Sequence, residues 1–220
     1  MKLNSSPSVQ AAALFGFPVL SALWLGIGVA VTGALTPGYS HISQFMSALG
    51  ASGAPVAAWA NYAVFIPAEL WLLAFLAVLS ARQPRSRSRR FSILILAAFA
   101  VLLILAAVLP CDAGCRGEAS GDPAAGSSVH LAHMVIAAVA YPLALIGLLP
   151  ISLTASRSSL VRRLALPVTA SGFCLYACII LFPEAQGLFQ RLLEALIYAQ
   201  IILLGRHEAS AAAPIATAQP

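Results

Sequence analysis

Apolar residues gather into six long runs along this chain, each long enough to cross a hydrocarbon layer of about 30 Å, which takes roughly 20 helical residues. The runs extend from Ala11 to Leu35, Val56 to Ser80, Phe91 to Leu109, His130 to Leu153, Leu164 to Phe182 and Gly187 to Gly205. Each is rich in Leu and Ala, and none alternates apolar and polar positions with period two, so the pattern predicts helices and not the strands of a membrane barrel. An all-α polytopic bundle of six transmembrane helices follows, occupying residues 11–205. Residues 1–10 form an N-terminal tail, and residues 206–220, rich in Ala and Pro at their end, are expected to be disordered. The first run is read as a span and not as a cleaved secretory signal: it holds about 25 apolar residues against about 7–15 in a signal's apolar core, and a single positive residue, Lys2, precedes it.

The connection from Thr36 to Pro55 departs from the other polar stretches, because Ile42, Phe45, Met46 and Leu49 recur in it at helical spacing. The spacing predicts a short amphipathic helix lying at the interface. Ser40 is its N-cap, Gly50, Gly53 and Pro55 end it, and His41, Gln44 and Ser47 fall on its polar side.

Composition excludes a soluble domain. Of the 220 residues 60% are hydrophobic and only 9% charged, with a mean hydropathy of +0.92, where soluble domains carry about 25% charged residues. The net charge of +5 is unevenly placed. Ten of the twelve basic residues, among them Arg82, Arg85, Arg87, Arg89, Arg90, Arg157, Arg162, Arg163 and Arg206, lie in alternate connections or at the termini. Basic connections stay in the cytoplasm, so both termini are expected there, in the inner (cytoplasmic) membrane of a bacterium. Arg116 and Arg191 fall on the other side with Asp112, Glu118, Asp122 and Glu184. The Arg-Ser-Arg-Ser-Arg-Arg run carries no interleaved aromatics, so nucleic acid is not an expected partner; membrane lipids are, and a partner protein or a homo-oligomer is compatible with the small residues in every span.

Chemistry-bearing residues concentrate on that other side. Cys111 and Cys115 have the short spacing of a disulfide staple in an oxidising compartment, with metal ligation or a redox pair as the alternative. Cys174 and Cys178, inside an apolar span, read as packed small hydrophobes. His130 and His133 share one helix face at i, i+3, and with His41 and Asp112 they make a set that zinc would accept; the alternative is a hydrogen-bonded cluster at the bundle mouth. Arg191 and Glu194 are also i, i+3, which suits either a neutralising bridge or an anion clamp formed by Arg191. Glu69, just after Pro67, falls near the middle of its span, where a charged group costs about 2.5–3.5 kcal/mol, so it is expected to be protonated or to face polar groups such as Tyr198 or Gln200. Pro67, Pro142 and Pro167 should loosen their helices where neighbours meet the freed carbonyls.

The segment Tyr39-Ser40-His41-Ile42-Ser43, Ser47-Ala48-Leu49-Gly50, Asn61, Pro110-Cys111-Asp112, His130 and Gly187-Leu188-Phe189-Gln190-Arg191 together resemble a bacterial and archaeal six-span family catalogued as domain of unknown function nine hundred ninety-eight. The resemblance implies a membrane location and a six-helix bundle, and no activity. Glu69 departs from the family pattern, which is expected to carry a small residue there. Three readings of function follow from the residues: an outward-facing polar pocket of Tyr39, Ser40, His41, Ser43, Asp112, His130, His133, Arg191 and Glu194 that binds a lipid headgroup or partner protein; a metal-dependent intramembrane lipid hydrolase; and a small proton-coupled transporter using Glu69.

Overall fold

A computed structural model describes residues 6–82, 86–115 and 126–212, and among these every regular element is helical. Six helices form: α1 (Pro7–Ala34), α2 (Ile66–Ser80), α3 (Arg87–Val108), α4 (Ser128–Leu153), α5 (Leu160–Leu181) and α6 (Gln186–Ala212). With the turns that precede α2 and α6, all six spans are long and apolar enough to cross a membrane. The chain is a multi-pass membrane protein. Lys2, Arg85, Arg116, Glu118, Asp122 and the last eight residues lie outside the described residues.

Several helices start before the apolar runs do, and serine side chains explain where. Ser6, Ser86, Ser127 and Ser159 each accept a backbone N–H from three residues on, capping α1, α3, α4 and α5. Arg87–Arg90 and Arg162–Arg163 therefore sit in the first turns of helices and not in loops. At the other end, α6 continues past Gly205 to Ala212, where a disordered tail was expected to have begun. The cause is a charge pair: Glu208 accepts hydrogen bonds from Arg89 Nη1 at 2.6 Å and Nη2 at 3.1 Å, and lies 3.5 Å from Arg82 Nε.

The second span begins as a π-helical stretch, Trp59–Phe65, before Ile66 starts α2. Pro67 cannot donate to the Ala63 carbonyl four residues back; the Trp24 indole of α1 takes that carbonyl instead, at 2.8 Å. The same solution recurs in α4, where Tyr176 of α5 donates to the Ala138 carbonyl at 2.9 Å, four residues before Pro142. Each proline thus ties its helix to a neighbour.

Consecutive helices pack side by side, and α1 closes against α6, so the six form a ring. Its two halves differ. In the half nearer the N-terminus of α1, Leu14, Leu72, Phe75, Leu96, Phe99, Leu148 and Ile151 fill the interior without solvent exposure above 1%. The face beyond this solid half carries Arg82, Arg89, Arg90, Arg157, Arg162 and Arg163 and is called the basic face. The opposite half, the mouth, is partly hollow and polar. Leu23, Ile27, Leu94, Leu131, Leu166 and Ile180 are exposed around the outside of the ring, the placement that hydrocarbon contact requires.

Candidate functional site

The connection between the first two spans folds into the mouth. Ser40 caps as its sequence suggests, with Ser43 N donating to Ser40 Oγ at 3.3 Å, but it caps one turn only. Gln44 closes that turn by accepting from Ser40 N at 2.7 Å, and Phe45 is extended. The Met46 amide then donates to Gln190 Oε1 of α6 at 2.7 Å. In place of the expected interfacial helix from Ser40, a 3-10 helix, Met46–Gly50, is drawn inward by α6. Met46 and Leu49 are buried inside the ring, while Ile42 remains exposed. Two glycines make the approach possible: a Cβ on Gly187 would lie 2.1 Å from the Gln44 carbonyl oxygen, and one on Gly50 would lie 1.9 Å from Asn61 Oδ1.

Arg191 fastens this loop. Its Nη1 donates to the carbonyls of His41 (2.8 Å), Gln44 (3.1 Å) and Gly187 (2.8 Å), and its Nη2 donates to the Tyr39 hydroxyl. The guanidinium carbon is 5.6 Å from the centre of the Tyr39 ring, and Tyr39 donates to the Phe45 carbonyl at 2.9 Å. Burial raises the Tyr39 phenol above its ordinary pKa despite the cation beside it. His41 meets Tyr39 edge-on at 5.0 Å, and partial burial together with Arg191 holds its imidazole below the usual range. The anticipated Arg191–Glu194 bridge is not formed: the arginine reaches up to the loop carbonyls, and Glu194 turns inward to Tyr141.

A second cluster holds the start of α4. Cys111 and Cys115 form a disulfide, with their Cα atoms 5.1 Å apart. The turn between them is closed by Cys115 N donating to the Asp112 carbonyl at 2.8 Å, and Ser52 N donates to the Cys111 carbonyl at 2.9 Å, tying it to the first connection. Asp112 accepts from Ser127 N (2.8 Å) and Ser127 Oγ (2.7 Å), which holds its carboxyl below the ordinary range. Its own amide donates to His130 Nδ1 at 3.2 Å. His133 Nδ1 lies 2.9 Å from both the Ala106 and Leu109 carbonyls at the end of α3, so that nitrogen bears a hydrogen.

The expected site residues therefore divide three ways. Tyr39, Ser40, His41, Ser43 and Arg191 build the loop clamp, Asp112 and His130 join the disulfide turn to α4, and His133 and Glu194 face the interior. His41, Asp112, His130 and His133 do not converge on one ion. Among the described residues the ligand atoms that come within 4.8 Å of one another belong to Cys111, Cys115 and His133, and the two sulfurs are bonded to each other.

The interior residues centre on Glu69. Tyr198 donates to Glu69 Oε1 at 3.1 Å and lies 3.1 Å from Ser21 Oγ, whose own hydrogen goes to the Ala68 carbonyl at 2.6 Å. Gln200, the other expected partner, instead donates to Ser152 Oγ and the Val161 carbonyl. Opposite Glu69, Gln190 Nε2 donates to the Tyr141 hydroxyl at 3.0 Å, and Glu194 lines the same cavity as Tyr141. Between them lies a cavity of about 70 Å³, lined by Asn61, Phe65, Glu69, His133, Tyr141 and Glu194 among others. A groove of about 590 Å³ between α4, α5 and the start of α6 shares Ser47, His133, Ala137, Tyr141 and Gln190 with it. A second groove, of about 490 Å³ between α1 and α6, shares Leu25, Met46 and Glu194. The roles of Asn61 and Tyr141 were missed by the sequence reading, although they stand in registers that show them: Asn61-Phe65-Glu69 and His133-Ala137-Tyr141, like Gln190-Glu194-Tyr198, are each spaced i, i+4, i+8, one face of a helix.

These features define a multi-pass membrane protein with a hollow polar mouth over a solid base. Residues 19–207 match the model of a family described as "Protein of unknown function (DUF998)", and the chain belongs to that family. No curated protein and no solved structure matches it.

Proposed function

We propose that this is a lipid-binding protein of the bacterial cytoplasmic membrane, which takes the headgroup end of a membrane lipid into the mouth of the bundle on the side away from the cytoplasm. The observation that carries the reading is the groove of about 590 Å³ between α4, α5 and α6, a volume in the range of small-molecule sites. Met134, Ala137, Ala138, Ile179 and Ile180 give it apolar walls, and Ser47, His133, Gln186 and Gln190 give it one polar end. Ile180 is 67% exposed, so the wall opens sideways where acyl chains would lie. The solid apolar half beneath supports retention of a ligand over its passage through the ring. The scattered histidines and the disulfide weigh against a metal-dependent hydrolase.

Filling the groove tests the reading. Native mass spectrometry of the detergent-purified chain should show a retained phospholipid in the wild type, and its loss in Ala137→Trp and Ile179→Trp variants whose helical content and melting are unchanged. A wild type that retains no lipid, or filled variants that retain as much, would sink the idea.

A further inference from the structure

We propose that the interior cavity between Glu69 and Glu194 binds a small organic ammonium group. The directions of the hydrogen bonds are the starting point. Ser21 Oγ gives its one hydrogen to the Ala68 carbonyl at 2.6 Å, and the Tyr198 hydroxyl, 3.1 Å from Ser21 Oγ, donates to Glu69 Oε1. On the other wall, Gln190 Oε1 is engaged by the Met46 amide, so its Nε2 donates to the Tyr141 hydroxyl and leaves the Tyr141 hydrogen free to turn toward a group in the cavity, which Glu194 also lines. Glu69 thus receives one phenol hydrogen on one oxygen, and Glu194 shares the cavity wall with the other phenol, Tyr141.

One oxygen of each acid, Glu69 Oε2 and Glu194 Oε2, is buried without any hydrogen-bond partner. Glu69 is 2% exposed and Glu194 6%, and both line the same cavity. Neither protonation state satisfies these atoms within the protein. An ionised oxygen lacks a donor, and a protonated one lacks an acceptor for its hydrogen. Buried polar atoms of this kind call for a ligand or ordered water.

The lining decides the class of ligand. Neither the cavity nor the groove between α4, α5 and α6 is lined by Lys or Arg, so an anion in the cavity finds no countercharge; Arg191 lines the groove between α1 and α6, where its Nη1 and Nη2 are held by loop carbonyls and the Tyr39 hydroxyl. A hard metal ion takes a shell of six or more oxygens, yet Leu25, Met46, Leu103, Ala106, Ala107 and Ala137 make much of this wall apolar. An ammonium on a short carbon stem fits both parts: its N–H groups meet the two bare oxygens, and its carbons meet the apolar wall and the rings of Phe65 and Tyr141. A water-sized group needs about 10–15 Å³ of such space, so about 70 Å³ takes a group of a few heavy atoms. The ammonium can arrive free or as the headgroup of an aminophospholipid, and only the second source rests on the lipid-binding reading above.

The test uses the full chain in detergent and in nanodiscs. Ethylammonium chloride should raise the melting temperature saturably, while sodium chloride at equal ionic strength should not. Glu69→Gln and Glu194→Gln should each weaken the effect by about tenfold or more, the loss expected when a charge-assisted hydrogen bond is removed. In wild type alone, tetraethylammonium, too bulky for the cavity, should give no shift, a control that stands if a Gln variant fails to fold. In nanodiscs, retention of phosphatidylethanolamine over phosphatidylglycerol, erased in the Gln variants, assigns the headgroup as the source; ethylammonium binding without that preference assigns a free amine. Equal shifts from ethylammonium, tetraethylammonium and sodium, or undiminished ethylammonium binding in both folded Gln variants, would overturn the proposal. A retained lipid with no headgroup preference and a silent ethylammonium titration would overturn it and leave the groove reading intact. Ethylammonium binding with no retained lipid would do the reverse.

Discussion

Arg191 holds residues 39–45 against α6 through main-chain oxygens, so a substitution there acts on the loop before any ligand is involved. Arg191→Gln should cost about 2 kcal/mol or more, because the charged donor leaves carbonyls unpaired at a part-buried site, and the loss is readable as a lowered melting temperature. The same change should raise the pKa of His41, measured by imidazole hydrogen exchange: burial and Arg191 both lower it, and only the second is removed. A His41 titration that stays put would contradict this account. The signs carry over to stability. A histidine held below its unfolded pKa opposes protonation of the folded state, so its share of stability falls as pH drops below the ordinary histidine value. Asp112, held below its unfolded pKa, contributes stability above that value and loses it as pH falls through the folded one. At this scale the sequence was informative about residue type and poor about partner. Arg191 and Glu194 stand at i, i+3, yet the pairing depends on a loop 150 residues away in sequence that supplies the competing carbonyl of His41.

Helix boundaries show the complementary limit. Hydropathy marks where hydrocarbon can begin, so it placed the start of α5 at Leu164, whereas Ser159 starts the helix and carries Arg162 and Arg163 into its first turn. The capping serines were readable; the charges beside them outweighed them in a hydropathy window. The segment after Ser40 misled for a different reason: its apolar positions do face inward at Met46 and Leu49, but Gln190 claims the Met46 amide that a continuous helix would have used. Such competition from a distant helix leaves no trace in local periodicity. Gly187 is where the two elements touch, and Gly187→Ala should cost about 1–3 kcal/mol, the range of an overpacked core, because its Cβ would fall 2.1 Å from a backbone oxygen. Gly16→Ala in α1, which has nothing within 4 Å, should be neutral or stabilising by up to about 1 kcal/mol through helix propensity. Thermal unfolding of the two variants side by side checks the contrast, and equal effects would contradict the close packing of loop on α6.

The whole molecule is a ring with a solid base and a hollow mouth, and charge is sorted along the same axis. Six spans were legible because exclusion of polar groups from hydrocarbon acts on every residue of a run. The division into solid and hollow halves was not, because it depends on which helix faces meet across the ring. The basic face turns out to be partly mechanical. Arg89, 5% exposed, is engaged by Glu208 and so locks α3 to the end of α6, and Arg162 donates to the carbonyls of Leu153 and Ala155, joining α4 to α5. Those arginines would be retained in either orientation, which weakens them as orientation signals. Arg87, Arg90, Arg157 and Arg163, all exposed on the same face, form none of the ion pairs found among the described residues, so they carry the orientation argument, since short basic connections resist translocation. Cysteine labelling puts this to a direct test. In a background with Cys174 and Cys178 replaced by Ala, Glu184→Cys at the mouth and Ser158→Cys at the basic face each place one thiol on an exposed position. In intact cells with a permeabilised outer membrane, an impermeant maleimide should label the first at once and the second only after the inner membrane is breached. The opposite order would put the mouth in the cytoplasm, and with it the disulfide in a reducing compartment where such bonds do not persist.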